Sequence, residues 1–589
     1  MTTTTTFATC LVLAAGAATS ANPLHFVDVT ASRIVQTVAE EPNNEKAIDF
    51  GDFDNDGDLD VVIGVALSDF GAKRNKLYRN DNGVFTEVTT ELIPGFLNAR
   101  VTRVAFLRDF DGDGWLDIYT INDQNSHVDR LFINQHPGGV VTGFTEVFTL
   151  PNSGNTGAAC GGIAEDLDAD GDIDVFCGNY PNTSQDQMLL NGGTANFTLV
   201  TSTMVPSDFD YTLDISSADM NGDGRVDVLV ANMGDPSYIY YNNLNDAGSG
   251  MGDFRYTGST QSFPTNFSEN AIEPADFNND GLMDFYWGNG NGDIDQIRRN
   301  TGNDGSNKAQ FSTLAVSTLP PSVTTVASRK ITVDDLNDDG RIDAIVMKED
   351  SGNTRPTILR NTTVNGQISF VDWTEASAFP NGSTHEGWHC ESADTNGDGD
   401  LDIFLGAFND DHLFEQEPAP TFDASTLVGG VVPGVFNGDA TVVQSTGAEG
   451  ASGNTFHIEN VSGSGAFISA IVTGSAAVDL KLEVLQNGNL LAESDRGGAG
   501  VEEALQVNNL PAGTISVRVS GPNVADLNSD TVVDGTDLAG LLAVWGSNGG
   551  SGGDFNGDNI VDGQDLATML ANWGAADIGD FTLEVLARN

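Results

Sequence analysis

Positive charge is scarce in this 589-residue chain: 25 Lys and Arg face 85 Asp and Glu, for a formal net charge of −60. Such a balance repels phosphate backbones and anionic lipid surfaces, so nucleic acid and anionic membranes drop out as expected partners. Long apolar runs are missing as well. After the first 21 residues nothing approaches the ~18 uninterrupted apolar residues of a spanning helix, and no membrane span is expected. The N-terminal stretch, with the apolar run Cys10–Ala18 and the small residues Thr19-Ser20-Ala21 before Asn22, reads as a secretory signal over residues 1–21 and implies export. Cysteine is limited to four positions. Cys10 leaves with the signal, and Cys390 reads as a small buried hydrophobe. Cys160 and Cys177 lie on two strands flanking one acidic loop, where a disulfide is geometrically plausible. The seven His are scattered, with no G-x-S-x-G elbow and no phosphate loop.

What the chain has in excess is Asp, Asn and Gly in a fixed order. The stretch Asp52–Asp60 reads D-x-[DN]-x-[DN]-G-x-x-D. Asp52, Asp54, Asp56 and Asp60 stand at positions 1, 3, 5 and 9, Gly57 at position 6 allows a sharp turn, and Asp58 at position 7 offers its backbone carbonyl. Six further copies follow. At positions 1, 3, 5, 7 and 9 the first three of them carry Asp109, Asp111, Asp113, Trp115 and Asp117; Asp166, Asp168, Asp170, Asp172 and Asp174; Asp219, Asn221, Asp223, Arg225 and Asp227. The last three carry Asp276, Asn278, Asp280, Leu282 and Asp284; Asp335, Asn337, Asp339, Arg341 and Asp343; Asp394, Asn396, Asp398, Asp400 and Asp402. Successive starts lie 57, 57, 53, 57, 59 and 59 residues apart, so the loop is one fixed part of a repeating unit. A hard cation wanting six to eight oxygens suits this donor set, which points to Ca²⁺. Two carboxylates about 4 Å apart repel by roughly 4 kcal/mol at an effective dielectric near 20, so an empty loop pushes itself open and the cation's expected role is structural.

An EF-hand would continue each loop as a helix. In this chain Asp60 leads into Val61-Val62-Ile63, and Asp227 into Val228-Leu229-Val230, which are strand signals. A segment such as Lys76–Asn80 and another such as Val84–Thr89 then make about four short strands per unit. On these loops and strands the units over about residues 24–415 resemble FG-GAP (VCBS-type) repeats, the calcium-bearing blades of integrin-α-like propellers. The resemblance implies an all-β fold with a seven-bladed β-propeller over residues 22–416. The seventh unit lacks a final strand, and an orphan of that pattern, Phe26–Thr30, stands at the mature N-terminus. It is expected to complete the last blade and remove an open sheet edge.

A different alternation begins after Pro420, seen in Asp479–Val484 and Thr514–Val519. Residues 417–523 resemble a pre-peptidase C-terminal β-sandwich, and the alternating tail at 578–589 is expected to supply one of its strands. Between them, residues 524–577 contain two loops with oxygen ligands at positions 1, 3, 5, 9 and 12. These are Asp526, Asn528, Asp530, Asp534 and Asp537, with Val532 at position 7, and Asp554, Asn556, Asp558, Asp562 and Asp565, with Ile560 at position 7. A short apolar helix follows each loop, and Trp545 and Trp573 at the helix ends read as the module's core. The pair resembles a type I dockerin, which implies Ca²⁺ and a cohesin-like partner. Thr531 and Asn559 replace the usual Gly at position 6, and the β-branched Thr fits that backbone poorly.

His385-Glu386-Gly387-Trp388-His389 formally matches the H-E-x-x-H zinc motif. It falls where a first strand is expected, and in a strand residues four apart stand roughly 13 Å apart and cannot share one ion. No catalytic residues are assigned. The reading is a secreted calcium-binding propeller acting as an adhesion, binding or scaffold protein for an extracellular glycan or protein ligand. The alternative is a polysaccharide-active enzyme of lyase or dehydratase type, which would need one unequal cluster of acid, base and cation; no such cluster is visible in the sequence. Ligand is expected on the face opposite the calcium loops, where the connections between second and third strands carry Phe70, Tyr119, Tyr180 and Phe408.

Overall fold

The computed structural model describes residues 26–37 and 45–416, apart from short connections at 66–73, 99, 123–127, 148–158, 181–184, 208–209, 243–251, 256–259, 264–268, 291–293, 315–317, 321, 324–326, 350–355, 364–365, 375–386 and 408–410. Beyond 416 it describes residues 421–423, 441–448, 454–461, 467–474, 481–486, 489–494, 503–508, 513–520, 535–544, 561, 566 and 580–588.

Seven sheets follow the seven repeats. The first contains Glu45–Gly51, Asp60–Val65, Lys76–Asn80 and Phe85–Glu87, each antiparallel to the next, with the acidic loop joining the first two strands. The short strand Ile34–Val35 adds to its outer edge in parallel. The second strands Asp60–Val65, Asp117–Asn122, Asp174–Asn179, Asp227–Asn232 and Asp284–Asn289 are buried at every position. Neighbouring blades cover both of their faces, which is why the sequence there is a continuous apolar run rather than an alternation.

The core is a chain of clusters between blades. Phe110, Tyr119 and Ile121 of the second blade pack with Val175, Cys177 and Phe197 of the third. Phe404 and Leu413 of the seventh pack with Val61, Ile63, Tyr78 and Phe85 of the first, so the ring closes. A buried ion pair runs through the same junction, with Lys76 Nζ 2.8 Å from Asp411 Oδ2 and the Tyr78 hydroxyl donating to the same oxygen at 2.9 Å.

Closure follows the expected route. The strand Phe26–Asp28 pairs antiparallel with Asp411–Gln416, Phe26 opposite Gln416 and Asp28 opposite Phe414, and is the fourth strand of the seventh sheet. Phe26 is wholly buried against Trp373, Cys390 and Phe414.

Two expectations change. Cys160 and Cys177 form no disulfide. A register shift between Ala159 and Gly162 sets Cys177 opposite Gly162, and its thiol lies between blades near Asp129 Oδ2, at 3.8 Å. Tyr119 belongs to a second strand and is fully buried, with its hydroxyl on Asp129 Oδ2 at 3.4 Å, so it is no part of a surface loop. Cys390 is a buried core residue, as expected, and burial pushes its thiol up to about 12.

Beyond the propeller, strands form two more sheets. The chain's last strand, Asp580–Arg588, lies between Thr441–Ala448 and Phe467–Gly474, antiparallel to both. A helix spans Gly535–Ala543, and its Leu541 is buried with Val561, against Leu538, Val544 and Leu566. The N-terminal signal, the oxygen ligands of the two C-terminal loops, His385, Phe70, Phe408, Trp545 and Trp573 lie outside the described residues or side chains. No helix among the described residues is long and apolar enough to cross a membrane.

Candidate metal loops and the central channel

Each acidic loop is wound by its own position 1 carboxylate. Asp52 accepts the Asp56 and Gly57 amides at 3.1 and 2.9 Å, and Asp219 accepts those of Asp223 and Gly224 at 3.0 and 2.6 Å. The position 6 glycines, Gly57, Gly114, Gly171, Gly224, Gly281, Gly340 and Gly399, all have φ between 82° and 102°. A Cβ at Gly57 or Gly171 would meet nothing within 4 Å, so backbone conformation rather than space demands glycine there. Position 4 is left-handed too, at Asn55, Gly112, Ala169, Gly222, Asn279, Asp338 and Gly397.

In the first three blades the carboxylates of positions 1, 3 and 9 converge. Asp52, Asp54 and Asp60 bring ligand atoms within 4.8 Å of one another, as do Asp109, Asp111 and Asp117, and Asp166, Asp168 and Asp174. Asp54 Oδ1 is buried with no hydrogen-bond partner, an open acceptor of the kind a cation fills. Burial, with Asp56 and Asp52 adding repulsion, pushes Asp54 up to about 6. The donor set therefore fits a hard divalent cation. Position 5 of the first loop, Asp56, stands at its exposed tip, and Asp58 at position 7 is half-buried.

Blades four to seven carry Asn at position 3, and in blades four to six it engages the position 5 carboxylate. Asn221, Asn278 and Asn337 donate to the position 5 carboxylates Asp223, Asp280 and Asp339 at 3.0–3.2 Å. Arg225 and Arg341, expected to offer only backbone carbonyls, also lay their guanidinium groups on Asp223 and Asp339, at 2.7 and 2.6 Å.

The position 9 residues have a second task that the sequence reading missed. Asp60 Oδ2 accepts the amide of Phe53 and its Oδ1 that of Asn80, at the end of the third strand. Asn80, Asn134, Asn191, Asn242, Asn300 and Asn361 then donate through Nδ2 to the position 2 carbonyl of the preceding blade, at 2.7–3.1 Å. Six of the seven loops are thereby latched to the next blade. The signal was in the sequence, as an Asn closing each of six third-strand segments, Lys76–Asn80 and Gln187–Asn191 among them.

The first strands surround a cavity of about 790 Å³. Every one of them has a register shift near its start, from Glu45/Ala47 to Gly387/His389. The extra residues, including Arg103, Leu213, Asn270 and Arg329, line the cavity, as bulges re-aim side chains. Because first strands run toward the acidic loops, their starts, together with Tyr180 and Met233, mark the opposite face. Tyr180 packs edge-on against Tyr211, ring centroids 5.4 Å apart.

Inside the ring the repeats stop being equivalent. Three residues before each loop stand Asp49, Phe106, Ile163, Ser216, Glu273, Thr332 and Glu391. Lys330 Nζ sits 2.5 Å from Glu273 Oε1 and 3.7 Å from Asp214 Oδ2, and Ser216 donates to the other Glu273 oxygen at 3.2 Å. Arg108 donates to Asp49 at 2.8 Å. Burial opposes the Lys330 ammonium, but Asp214, Glu273 and Glu391 outweigh it and hold its pKa above the usual lysine range. His389 Nε2 lies 3.6 Å from Glu391 Oε1, while its Nδ1 is buried without a partner. Burial, then Lys330, lowers the His389 pKa well below the usual value, so the ring is neutral at physiological pH. His389 is on a strand, as the sequence reading of the H-E-x-x-H stretch required. The unequal grouping of acid, base and cation that the sequence did not show is thus present in the channel.

A model of FG-GAP-like repeats matches residues 52–120, 166–230, 219–287 and 335–405, segments that contain all seven loops. No curated protein matches the chain. Among solved structures, BBS1N in complex with ARL6DN, soaked with lead, is 10% identical, with 68% of this chain and 98% of that one covered at a TM-score of 0.39. The exotype rhamnogalacturonan lyase YesX is 12% identical, with 67% and 76% covered at the same TM-score of 0.39. At such scores neither bears on what this chain does. The chain folds as a seven-bladed β-propeller and carries FG-GAP-like repeats.

Proposed function

We propose that this protein is an exported, calcium-stabilised propeller that works outside the cell as a binding or scaffold protein for a glycan or protein ligand. The observation that carries the reading is the convergence of three carboxylates in each of the first three loops, with Asp54 Oδ1 left open. Calcium holds the ring, and the face opposite the loops, where Tyr180 borders the channel, takes the ligand. The C-terminal part acts as a tether: a pre-peptidase-like sandwich completed by the last strand, with a dockerin-like pair of calcium loops recruiting a cohesin-like partner. Pairing of Asp580–Arg588 with two earlier strands and packing of Leu541 on Val561 both support that arrangement. Binding of the full chain to an array of glycans and extracellular-matrix proteins, with and without calcium, tests the reading. Tyr180→Ala is expected to lower binding at unchanged melting temperature and Asp223→Ala to lower the melting temperature; the reverse pattern would place recognition on the calcium face.

One observation favours a second reading, an enzyme on the same scaffold. Glu391, His389 and Lys330 give the channel an acid, a base and a cation within one wall. Turnover of any polysaccharide in a substrate panel, abolished by His389→Ala, would select it.

A further inference from the structure

The seven acidic loops are unequal in charge. At positions 1, 3, 5, 7 and 9 blades one, two, three and seven carry five, four, five and four carboxylates, whereas blades four, five and six carry three each. The poorer set also holds guanidinium groups. In blade four Arg225 Nη2 lies 2.7 Å from Asp223 Oδ2, and in blade six Arg341 Nη2 lies 2.6 Å from Asp339 Oδ2. Third strands supply two more, from the residue before the latch Asn: Arg299 stands 3.4 Å from Asp280 Oδ2, and the buried Arg360 stands 3.4 Å from Asp339 Oδ2. The same three oxygens accept the position 3 amides of Asn221, Asn278 and Asn337. In blade one the equivalent Arg79 turns away to Asp81, at 3.1 Å, and blade two sets an imidazole, His136, on Asp113 at 2.7 Å. Carboxylates of positions 1, 3 and 9 converge in blades one to three, where among the described residues no guanidinium bonds to the carboxylates of positions 1, 3 and 5.

We infer that the loops of blades four to six do not need the ion: a guanidinium from the chain itself takes its place on the position 5 carboxylate, and calcium serves blades seven, one, two and three. The inference rests on the calcium reading proposed above and confines it to one arc of the ring. Affinity of such loops follows the number of charged ligands, and a guanidinium already seated on one of them repels a second cation. Position 7 would serve an ion through its backbone carbonyl, so its side chain is not a ligand and can set the loop's charge either way. Asp58, Asp172 and Asp400 make that loop more acidic; Arg225 and Arg341 make it less so. Asn80, Asn134, Asn191 and Asn242 tie the position 2 carbonyls of loops seven, one, two and three to the blades that follow, so the calcium-dependent arc runs from the closure joint to the fourth blade. Loss of calcium therefore loosens the closure of the ring first, while the loops of blades four to six stay wound.

Hydrogen–deuterium exchange of the full chain, read on peptides covering each loop in excess chelator and in millimolar calcium, tests this. Calcium is expected to slow exchange about tenfold or more in the loops of blades seven, one, two and three, and by less than about twofold in those of blades four to six. Arg225→Ala removes the guanidinium and keeps the backbone carbonyl of position 7. Loop four of that variant is expected to exchange faster than the parent's in chelator and to be slowed by calcium, as loop one is. A folded Arg225→Ala protein whose loop four exchanges as in the parent under both conditions would overturn the inference. The parent alone also decides: calcium that slows all seven loops alike overturns this inference and leaves the calcium reading standing, whereas calcium that slows none of them overturns both.

Discussion

Asn80 Nδ2 donates to the backbone carbonyl of Thr395 at 2.8 Å, and by this bond the first blade holds the acidic loop of the last. The same side chain also donates to the Leu59 carbonyl, and its Oδ1 accepts the Gly83 amide. Asn80→Ala leaves these buried groups without partners, at roughly 1–3 kcal/mol for each one that water does not reach. Urea unfolding of the calcium-loaded protein should show a loss of about 2 kcal/mol or more; a change under 0.5 kcal/mol would mean that the latch contributes nothing.

Phe26 closes the ring from the other side of the seventh blade. Truncating this wholly buried ring to Ala should cost about 3–5 kcal/mol, as for other buried aromatics. Deleting Asn22–Thr30 should do more, because it uncovers the edge of Asp411–Gln416. Thermal melting decides: a truncated protein that melts within a degree or two of the parent contradicts strand exchange.

Ala169 occupies the left-handed position 4 of its loop at φ 58°, where the other loops have Asn, Gly or Asp. A left-handed backbone costs an ordinary L-residue roughly 1–2 kcal/mol. Ala169→Gly is therefore expected to stabilise the protein by about 1 kcal/mol, while Gly171→Ala, at φ 98°, should destabilise it by at least as much. Denaturation midpoints that move in the same direction for both variants would refute the assignment.

Asp295 offers a pH test away from the loops. It accepts the Asn289 amide at 2.8 Å, the Ser328 hydroxyl at 2.6 Å and the Tyr286 hydroxyl at 3.0 Å. Burial nevertheless pushes it up to about 7. An unfolded Asp loses its proton near 3.9, so between about pH 4 and 7 the folded protein binds more protons and this residue's contribution falls as pH rises. The first blade has already solved the problem with Asn75, which accepts the Val65 amide and donates to Thr102 Oγ1. Asp295→Asn should raise the melting temperature at pH 8 and leave it nearly unchanged at pH 4.5. A variant that is less stable at pH 8 would show that the carboxylate is needed in its charged form.

The parts legible in the sequence were those written locally. Loop ligands lie within nine residues of one another, buried second strands announce themselves as apolar runs, and Phe26-Val27-Asp28 carries the pattern that the seventh unit lacks. The Asn latch was legible but unread, since it appears only when the ends of third strands are aligned across repeats. Channel residues were hidden for a physical reason. Asp49, Lys330 and Glu391 are far apart in the chain, and they meet only because seven first strands converge on one axis. The repeat makes the blades alike where they pack and lets them differ where they face the channel, so periodicity masks that site. The bulge that turns Arg103 and Arg329 inward leaves no mark in composition at all.

The central claim is that calcium holds the ring. Calorimetric melting of the full chain in millimolar calcium, in magnesium alone and in excess chelator tests it most directly. Calcium at about 100 times its dissociation constant adds ~2.7 kcal/mol per site, and several filled loops add together. The expected result is a propeller transition tens of degrees higher in calcium than in chelator, with magnesium giving little of the rise because its small octahedral shell fits these loops poorly. An identical transition in all three conditions would contradict the account.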